Sequence, residues 1–315
     1  MELEQLKCIN ENINIDEYIK YRDLVKENME HPEWLGDFSK EDLLFLLNNN
    51  SKIWMYYLNN EFVCSMMLIP TDRKSLTNFK IDLNPKEVID YGPIFINPKY
   101  IGNGLQYQML QELDKYCVKN GYKYAISTVH PNNIYSINNL VKDKFINIDN
   151  IDLKRGKRNI CLKCLEKNSI QKILTIVEKD NKFLLLKGSE NDPQFHESFW
   201  YVVTGSTEEC DNSLIDAVKR EIKEETNLEL KDTYRLPYIL KYESLGKHCI
   251  EYMFISHVYN GSIKLNEESI EYRWCDIDEF IDLIKWYGDK KVLREVLENI
   301  KYWWNNCKKY QHMII

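Results

Sequence analysis

Apolar and polar residues alternate most regularly between Ser213 and Asn227, where an apolar residue returns every three or four positions. This spacing predicts an α-helix with one apolar side, because the helix completes a turn in about 3.6 residues. Ser213 is a residue type that caps helix N-termini, and Asp216 completes a capping-box-like start. Asn227 is suited to the helix end. The predicted inward side consists of Leu214, Ile215, Ala217, Val218 and Ile222.

Three carboxylates, those of Glu221, Glu224 and Glu225, fall on this helix. Spacings of three and four residues bring them together within one turn, on the core-facing side of the helix. Like charges at the edge of a core cost energy unless a cation neutralises them, and hard oxygen ligands suit Mg²⁺. The residues alone leave a second interpretation open, a charged helix with an acidic end.

In the first half of the chain, apolar residues at helical spacing predict helices, and apolar residues at every second position predict strands. Helices are expected over residues 18–27, 40–47, 105–118 and from 130 to 145. Strands are expected over residues 53–58, 62–69 and 124–129, and directly before Asn97-Pro98. Residues 71–88 are predicted to form a loop.

The second half predicts a hairpin around Asp180-Asn181, followed by further strands and two C-terminal helices. The strands are expected over residues 170–178, 182–187, 199–203, 238–243 and 248–258. The C-terminal helices are expected over residues 276–287 and 290–308. Residues 166–169 are polar without being a flexible linker, and they mark the predicted domain boundary.

A glycine-bearing loop, Lys99-x-x-Gly102-x-Gly104, stands between a strand and a helix. A strand, a glycine loop and a helix together present free backbone N–H groups to a pyrophosphate. Glycines also interrupt ordinary loops, so the motif is weak without its surroundings.

The composition narrows the classes of function. At 315 residues the chain can bury two cores, and a net charge of −7 argues against a nucleic-acid binder. We expect neither a leader nor a membrane span, and therefore a cytoplasmic protein. Nine scattered cysteines are typical of reduced thiols. Cys161-x-x-Cys164 lacks a second pair and lies in a strand-like segment, so zinc or redox chemistry is not expected there.

Residues 205–228 resemble the Nudix hydrolases, whose box reads G-x5-E-x7-R-E-U-x-E-E-x-G-U with U aliphatic. The matching residues are Arg220, Glu221, Ile222, Glu224, Glu225 and Leu228. Ser206 stands at the first glycine, Asn212 at the first glutamate and Asn227 at the last glycine. Asparagine tolerates a left-handed position, whereas Asn212 removes a potential anionic ligand.

The resemblance implies a pyrophosphohydrolase in which Glu221, Glu224 and Glu225 hold Mg²⁺ or Mn²⁺. Arg220 would orient these carboxylates through ion pairs. Residues 199–206, 267–274 and 283–286 resemble the branch that contains dihydroneopterin triphosphate pyrophosphatases. Glu268 aligns with a loop glutamate common in that branch, and it is a candidate metal ligand or general base. From spacing alone it is equally well a solvated turn residue.

Residues 10–165 resemble the GNAT acyltransferases, which bind acetyl-CoA through a [RQ]-x-x-G-x-[GA] loop. Lys99 replaces the arginine or glutamine of that loop, and Asn133-x-x-Ser136 with Lys144-Phe145 continues the pattern, with Lys144 at the family's glycine. The resemblance implies acetyl-CoA as acyl donor and an amine as acceptor. The residues expected at the acetyl-CoA site are Ile96, Lys99, Ile101, Gly102, Asn103, Gly104, Asn133 and Ser136.

The proton-transfer groups of the first half are less defined. Val141 replaces a tyrosine that often serves as general acid, so a proton must come from another residue or from water. Asp90 and Tyr91 are candidates for the base or for substrate contact, against the simpler interpretation as surface residues. His130, which precedes a proline at a strand end, is expected to be structural.

The expected fold class is α+β with two domains. Residues 1–166 would form a GNAT acyl-CoA N-acyltransferase fold, and residues 167–315 a Nudix α/β/α sandwich with a mixed sheet. The expected function is a bifunctional enzyme that acetylates an amine and cleaves a pyrophosphate bond of the nucleoside di- or triphosphate type. It would use small-molecule substrates, without nucleic acid or membrane. The alternative is a nucleotide sensor in which a decayed Nudix domain regulates the acetyltransferase, and Asn212 favours it.

Overall fold

The computed structural model describes residues 1–189, 198–286 and 288–299. The chain divides into two compact units, Met1–Lys167 and Asn168–Ile315. Each unit encloses hydrophobic core clusters of its own.

The first unit is a sheet with helices packed on both faces. Its helices are α1 (Ile15–Glu27), α2 (Lys40–Asn48), α3 (Arg73–Asn78), α4 (Leu105–Lys119) and α5 (Ile134–Lys142). Its strands are β1 (Lys7–Ile9), β2 (Lys52–Leu58), β3 (Glu61–Pro70), β4 (Val88–Tyr91), β5 (Phe95–Ile96), β6 (Tyr124–Val129), β7 (Ile146–Leu153) and β8 (Gly156–Cys164). The strand order is β1-β2-β3-β4-β6-β8-β7, with β5 beside β3.

Two cores separate the two faces of this sheet. On one face, Met109 of α4 packs in a cluster with Tyr91 of β4. On the other face, Tyr18 of α1 and Leu43 of α2 pack in a cluster with Met67 of β3. Side chains alternate along a strand, so Asp90 faces the layer of α1 and α2 while its neighbour Tyr91 faces α4.

The parallel strands β4 and β6 pair only over a short stretch. Residues Val88, Ile89 and Asp90 pair with residues 124–126, and beyond Tyr91 the chain continues as β5, which pairs with β3 instead. The two strands therefore part after Asp90 and leave a gap in the middle of the sheet.

The second unit is a mixed sheet. Its strands are β9 (Ser169–Lys179), β10 (Lys182–Gly188), β11 (Trp200–Tyr201), β12 (Val203–Ser206), β13 (Leu230–Ser244), β14 (Lys247–Val258) and β15 (Ser269–Cys275). Its helices are α6 (Leu214–Thr226), α7 (Ile277–Leu283) and α8 (Lys290–Glu298). The strand order is β11-β10-β9-β14-β13, with β12 beside β9 and β15 beside β10. Strands β9 and β14 are parallel, and α6 packs against β9, β12 and β13.

Some predicted boundaries differ from the structure. The loop predicted for residues 71–88 contains α3, which starts where the Asp72 side chain accepts a hydrogen bond from the Ser75 N–H. A helix this short is too brief to show a period in the sequence. Helix α7 ends at Leu283, earlier than predicted, and the predicted helix beyond residue 299 lies outside the described residues. Within those residues, no helix is long and apolar enough to cross a membrane.

Two predictions around the carboxylate helix were wrong. Ile215, placed on the inward side, is 46% exposed. Residues 204–206, expected to break the strand, continue β12, because Gly205 pairs with Ile173 and Ser206 with Lys172 of β9. Strand β12 therefore runs directly beside α6 and carries Gly205 to the carboxylates.

Candidate functional site

The carboxylate helix α6 begins and ends at the predicted residues. The Ser213 hydroxyl accepts a hydrogen bond from the Asp216 N–H at 3.2 Å and donates to the Asp216 carboxylate at 2.9 Å. At the other end, Asn227 adopts a left-handed φ of 58°, and its N–H donates to the Lys223 carbonyl. These two ends set the rotation of the helix and thereby the direction of its glutamates.

Glu225 of α6 lies inside the protein with 1% of its surface exposed. Its Oε1 accepts a hydrogen bond from the Thr204 N–H at 3.1 Å, whereas Oε2 has no hydrogen-bond partner among the described residues. Burial raises the pKa of Glu225 well above its ordinary value, and the charges of Glu221 and Glu268 raise it further. A buried carboxylate oxygen without a partner is unfavourable, so Glu225 requires a proton or a cation.

Glu221 occupies the space above Gly205. A methyl group at Gly205 would lie 1.9 Å from Oε1 and 2.0 Å from Cδ of Glu221. Glycine is needed here for space and not for a left-handed backbone, since Gly205 is not among the residues with positive φ. Burial raises the pKa of Glu221, although the Arg220 guanidinium opposes that rise.

Arg220 links the loop before α6 to the carboxylates. Its Nη2 donates to the Ser206 carbonyl at 2.8 Å and to Asp211 Oδ2 at 2.9 Å. Its Nη1 donates to Glu221 Oε1 at 2.7 Å and to Glu224 Oε2 at 3.1 Å. These bonds, above all those to Asp211, raise the pKa of Arg220 above its ordinary value, so the guanidinium stays charged. Arg220 thereby orients two of the three carboxylates.

Asp211 supplies the carboxylate that Asn212 was expected to remove. Its side chain is only 3% exposed and also accepts a hydrogen bond from Arg220 Nε at 3.3 Å. Five residues separate Gly205 from Asp211, as the Nudix box requires, and eight separate Asp211 from Arg220 where the box has seven. Counted forward from Gly205, the acidic position of the box falls on Asp211, whereas counted back from Arg220 it falls on Asn212.

The oxygen donors of α6 fit a hard divalent cation, although the described residues do not form a complete set of metal ligands. Glu224, predicted at the core edge, has a side chain that is 53% exposed. In the part of the chain that the structure describes, no group of three or more His, Cys, Asp or Glu is arranged to hold a metal ion. Arg220 spans Glu221 and Glu224 in this state. The unpartnered oxygen of Glu225, with two further carboxylates within one turn, meets the demand of Mg²⁺ or Mn²⁺ for oxygen donors.

Glu268 lies on the exposed loop that precedes β15. Its charge raises the pKa of both Glu221 and Glu225, which places it close to the carboxylates of α6. Its N–H donates to Asn266 Oδ1 at 3.1 Å, which fixes the loop. The Glu268 side chain is itself exposed at a turn, as a solvated turn residue would be, while its charge acts on the carboxylates of α6.

Glu251 of β14 is a carboxyl that the sequence analysis missed. It is 6% exposed, and burial raises its pKa, while Lys172 and hydrogen bonds from Tyr242 and Thr204 oppose the rise. Thr204 also donates its N–H to Glu225, so one residue joins the two carboxyls. A single glutamate within an apolar strand gives no periodic signal, which is why the pattern did not reveal it.

In the first unit, the loop before α4 contains two glycines in left-handed conformations. Gly102 has a φ of 86° and Gly104 a φ of 68°, and a methyl group on either would meet nothing within 4 Å. Gly104 is the N-cap of α4, and no side chain caps that helix. The first N–H groups of α4 are therefore available to an anion, which the helix dipole also favours.

The side chains of this loop mostly serve its own structure. Lys99 Nζ donates to the two carboxylate oxygens of Glu61 at 2.6 and 2.9 Å, and both side chains are exposed. Asn103 Nδ2 donates to the Tyr100 carbonyl at 3.0 Å. Ile101 is 68% exposed. Lys99 must therefore leave Glu61 before it can contact a phosphate.

Helix α5 is tied to the first turn of α4. Asn133 caps α5, because its Oδ1 accepts a hydrogen bond from the Ser136 N–H at 3.1 Å. The Ser136 hydroxyl accepts a hydrogen bond from Gln106 Nε2 at 2.8 Å. Ile96 is partly buried at the end of β5, and Val141 is 43% exposed. Ser136 thus lies beside the glycine loop, whereas Asn133 has a structural role as helix cap.

Asp90 and Tyr91 face opposite sides of the sheet. Tyr91 is 2% exposed, and its hydroxyl donates to Asp114 Oδ1 at 2.6 Å, so the interpretation of Tyr91 as a surface residue was wrong. Burial raises the pKa of Asp90 to about 7, although Arg155 opposes the rise. A carboxyl that titrates near neutral pH thus stands where β4 and β6 part.

His130 follows β6 directly and is part of an aromatic stack. Its ring lies 5.5 Å from the Trp34 ring at an interplanar angle of 21°, and Trp34 stacks in turn on His31 at 4.3 Å. Burial, with a contribution from Arg158, lowers the pKa of His130. The stack holds residues 31–34 against the end of β6.

Comparison with protein-family models gives two matches. Residues 171–296 match the model described as NUDIX domain, and residues 17–142 match the model described as Acetyltransferase (GNAT) family. Both matches confirm the two folds and the α+β class expected from the motifs.

Known proteins resemble each half. The ADP-ribose pyrophosphatase of Methanocaldococcus jannaschii is 32% identical over 123 residues, which cover 39% of this chain and 69% of that protein. The MutT protein from Methanosarcina mazei Go1 has 25% identity and a TM-score of 0.34, over 44% of this chain and 96% of that one. An N-acetyltransferase from Staphylococcus aureus Mu50 has 12% identity and a TM-score of 0.40, over 51% of this chain and 99% of that one.

Proposed function

Because the chain belongs to the Nudix hydrolases and joins that domain to a GNAT acyltransferase domain, we propose a Mg²⁺-dependent cleavage of a diphosphate bond at α6. The observation that carries this proposal is the buried Glu225, whose Oε2 has no partner in the described residues. The sensor alternative is not favoured. Its main support was Asn212, and Asp211 supplies the carboxylate in its place.

Glu221, Glu224 and Glu225 would hold the Mg²⁺, and Mn²⁺ fits the same donors. When bound, the cation neutralises phosphate charge and lowers the pKa of an attacking water. Arg220, fixed by Asp211, orients Glu221 and Glu224 towards the cation. Glu268 would accept the proton of the attacking water or serve as a further ligand.

The substrate proposed for this domain is a nucleoside diphosphate derivative. The relative that is 32% identical is an ADP-ribose pyrophosphatase, which supports a diphosphate between two sugars. The resemblance of residues 199–206 and 267–274 to dihydroneopterin triphosphate pyrophosphatases supports a triphosphate as the second candidate. Both substrates contain the same bond, and they differ in the group that the rest of the pocket must recognise.

A product analysis tests the hydrolase proposal. The purified protein is incubated with ADP-ribose, dihydroneopterin triphosphate and a panel of nucleotides, with Mg²⁺ or with EDTA, and products are identified by mass. We expect cleavage of a diphosphate bond only with the metal. A panel that stays intact with Mg²⁺ and with Mn²⁺ would contradict the proposal.

For the first domain, we propose transfer of an acetyl group from acetyl-CoA to an amine. The pyrophosphate would bind at the N–H groups of α4, next to Gly102, Gly104 and Ser136. The amine nitrogen attacks the thioester carbon, the carbon–sulfur bond breaks, and the thiolate leaves and takes up a proton. Asp90, with a pKa of about 7, would accept the proton that the amine loses.

Titration calorimetry with acetyl-CoA tests this part independently of any acceptor. Binding of acetyl-CoA or CoA to the full chain is the expected result. An absence of binding at millimolar ligand would contradict the acetyltransferase proposal and leave the hydrolase proposal untouched.

A further inference from the structure

Arg158 of β8 is a buried cation held by backbone carbonyls. The residue is 3% exposed, and its guanidinium donates to two backbone carbonyls, Lys157 O at 2.8 Å and Glu33 O at 2.9 Å. No ion pair joins it to an Asp or Glu within residues 1–189, 198–286 and 288–299, although the charge of Glu33 raises its pKa. A guanidinium has five N–H donors and a full positive charge, and two neutral carbonyls use only some of those donors. Buried charges are normally paired, which indicates that an anion completes this site.

Arg155 brings a second guanidinium to the same face. It follows β7 at the turn into β8, and its guanidinium lies 5.8 Å from the Phe38 ring. Its Nη1 lies 2.9 Å from where a methyl group of Gly36 would stand, so the glycine leaves room for this arginine. Burial lowers the pKa of Arg158, and the charge of Arg155 lowers it further, which places the two cations near each other.

Other groups near these cations are already engaged. Arg155 lowers the pKa of Asp37, but that carboxylate pairs with Lys26 at 2.7 Å, the largest cause of the shift. Glu33 accepts from Arg158 with its backbone carbonyl, whereas its carboxylate lies 3.2 Å from His31 Nδ1. Arg155 also acts on Asp90, whose raised pKa it opposes, and no ion pair joins either arginine to a carboxylate of the described residues.

The cluster lies next to the gap between β4 and β6. Asn159 pairs with Val129 of β6, so Arg158 is level with His130, where the strands have already parted. Alternation along β8 places Arg158 on the face opposite Lys163, which contacts Asp114 of α4. Arg158 therefore faces the same layer as Asp90, away from the helix proposed to bind acetyl-CoA. With the donor entering from the α4 side, the acceptor must reach the gap from the side of the arginines.

We propose that Arg155 and Arg158 bind an anionic group on the acetyl acceptor, which is therefore an amine that also carries a carboxylate or a phosphate. This inference rests on the proposed acetyltransferase function. The planar guanidinium fork matches the two oxygens of either group. The amine of such an acceptor faces Asp90, the carboxyl proposed as its base, while the anion faces the arginines.

Matched pairs of amines test the acceptor class on the full-length protein with acetyl-CoA. Each amino acid is compared with its amide, and phosphoethanolamine with ethanolamine, and the released CoA thiol is measured. The anionic member of a pair should react at least about tenfold faster, since a charged hydrogen-bonded pair contributes about 1.5–3 kcal/mol. The two kinds of pair distinguish a carboxylate from a phosphate as the recognised group.

Arg158→Met should raise the KM for the preferred acceptor by about tenfold or more. Its reaction with the uncharged partner and its affinity for acetyl-CoA should not change. Lys157→Met is the matched control, because it removes the same charge one residue away, on an exposed side chain of the opposite face. If Arg158→Met does not fold, Arg158→Lys, which keeps the charge but not the planar fork, should still raise the KM for the anionic acceptor. Arg155→Met at the exposed turn should raise that KM more than the KM for the uncharged partner.

Several results would overturn the acceptor site. These are equal rates for the members of each pair, a preference for uncharged amines, an Arg158→Met protein that behaves like Lys157→Met, or no reaction of any amine despite acetyl-CoA binding. A protein that does not bind acetyl-CoA would instead remove the acetyltransferase function itself.

Discussion

At the scale of single residues, the Glu221 carboxylate fills the space that a side chain at position 205 would need. Gly205→Ala would place a methyl group 1.9 Å from Glu221 Oε1 and force this carboxylate away from Glu224 and Glu225, the other proposed metal ligands. We expect hydrolysis to slow by about 10²-fold, the usual effect of losing one electrostatic contact at a reaction centre. Steady-state rates on the preferred diphosphate substrate measure this effect.

Gly188→Ala is the control for that substitution, because its methyl group would meet Tyr201 Cε1 at an ordinary 3.5 Å. It should leave hydrolysis close to that of the natural protein. A Gly205→Ala enzyme that hydrolyses as fast as the control would show that the position of Glu221 is unimportant.

The raised pKa of Asp90 leads to a prediction for the pH dependence of acetyl transfer. Its pKa of about 7 means that the base form increases as the pH rises through neutrality, so the rate should rise between about pH 6 and pH 8. Asp90→Asn should lose this limb and about 10²-fold or more of the rate. The control Asp82→Asn changes an exposed carboxylate and should retain the limb. An unchanged profile in Asp90→Asn would exclude Asp90 as the base.

The same shift predicts a stability effect. The folded pKa of Asp90 lies above the unfolded value of about 3.9, so the folded state holds this proton longer. Its contribution to the free energy of unfolding is complete below about pH 4 and is lost as the pH rises through about 7. Chemical denaturation should show a smaller fall over this range in Asp90→Asn, and an identical fall in both proteins would refute the shift.

The sequence predicted the residue types of the hydrolase site better than their partners. Glu221, Glu224 and Glu225 were found from helical spacing, which is a local property. The role of Asp211 was missed, because one additional residue before Arg220 moves the box out of register without disturbing any periodicity. The surroundings of Arg158 were also not predicted, since only the fold shows that its guanidinium donates to two backbone carbonyls.

At the scale of elements, α4 gives a test of the glycine loop. Gly104→Ala introduces a side chain at a φ of 68°, a conformation that non-glycine residues adopt only at a cost. The loop should shift and weaken acetyl-CoA binding by about tenfold, since a left-handed residue costs about 1–2 kcal/mol. The added methyl group itself has room, so strain and not crowding is the expected cause. Calorimetry measures the affinity.

Gly121→Ala is matched to this variant at the other end of α4. Gly121 has a φ of 82°, and its methyl group would also meet nothing within 4 Å. Both variants should lower the melting temperature, and only Gly104→Ala should weaken acetyl-CoA binding. Equal affinities would mean that the N-terminus of α4 does not hold the pyrophosphate.

Helices and strands with a regular spacing of apolar residues were predicted well. Strand ends that depend on hydrogen bonding to a neighbouring strand were not. Helices α1, α2, α4 and α6 and the hairpin of β2 and β3 were expected close to their observed ends. By contrast, β12 extends through Gly205 because β9 offers it partners, and the parting of β4 from β6 depends on β5 pairing with β3. These are long-range choices that no local window of sequence contains.

At the scale of the whole molecule, each of the two units has its own hydrophobic core, so we expect each to fold without the other. A fragment of residues 168–315 should be soluble, unfold in one cooperative transition and retain hydrolysis, and a fragment of residues 1–167 should retain acetyl-CoA binding. Far-ultraviolet circular dichroism during heating tests the cooperativity. Insoluble or molten fragments would mean that the two halves depend on each other for their cores.

The two-domain organisation itself was accessible from the sequence, because each half contains a motif that completes a different fold. The acceptor of the first domain was not, since it depends on which side chains the strand gap brings together. Asp90 lies on β4, whereas Arg155 and Arg158 lie at the turn into β8 and on β8 itself. The shared face of Asp90 and Arg158 follows only from strand alternation in the assembled sheet.

The central claim is that α6 holds a catalytic metal through Glu225. Glu225→Gln keeps the shape of the side chain and its hydrogen bond to the Thr204 N–H but removes the charge. Glu229→Gln is the matched control, because Glu229 lies just beyond the same helix, exposed and paired with Lys223 at 2.7 Å. Both variants remove one negative charge from the same region.

The decisive measurement is the rate of diphosphate hydrolysis by the natural protein and both variants, with Mg²⁺ and with EDTA. We expect activity that requires Mg²⁺, a loss of about 10²-fold or more in Glu225→Gln, and little change in Glu229→Gln. Without metal, the melting temperature of Glu225→Gln should equal or exceed that of the natural protein, because a buried ionisable group is gone. Activity that persists in EDTA, or a Glu225→Gln enzyme as fast as the natural one, would contradict the claim.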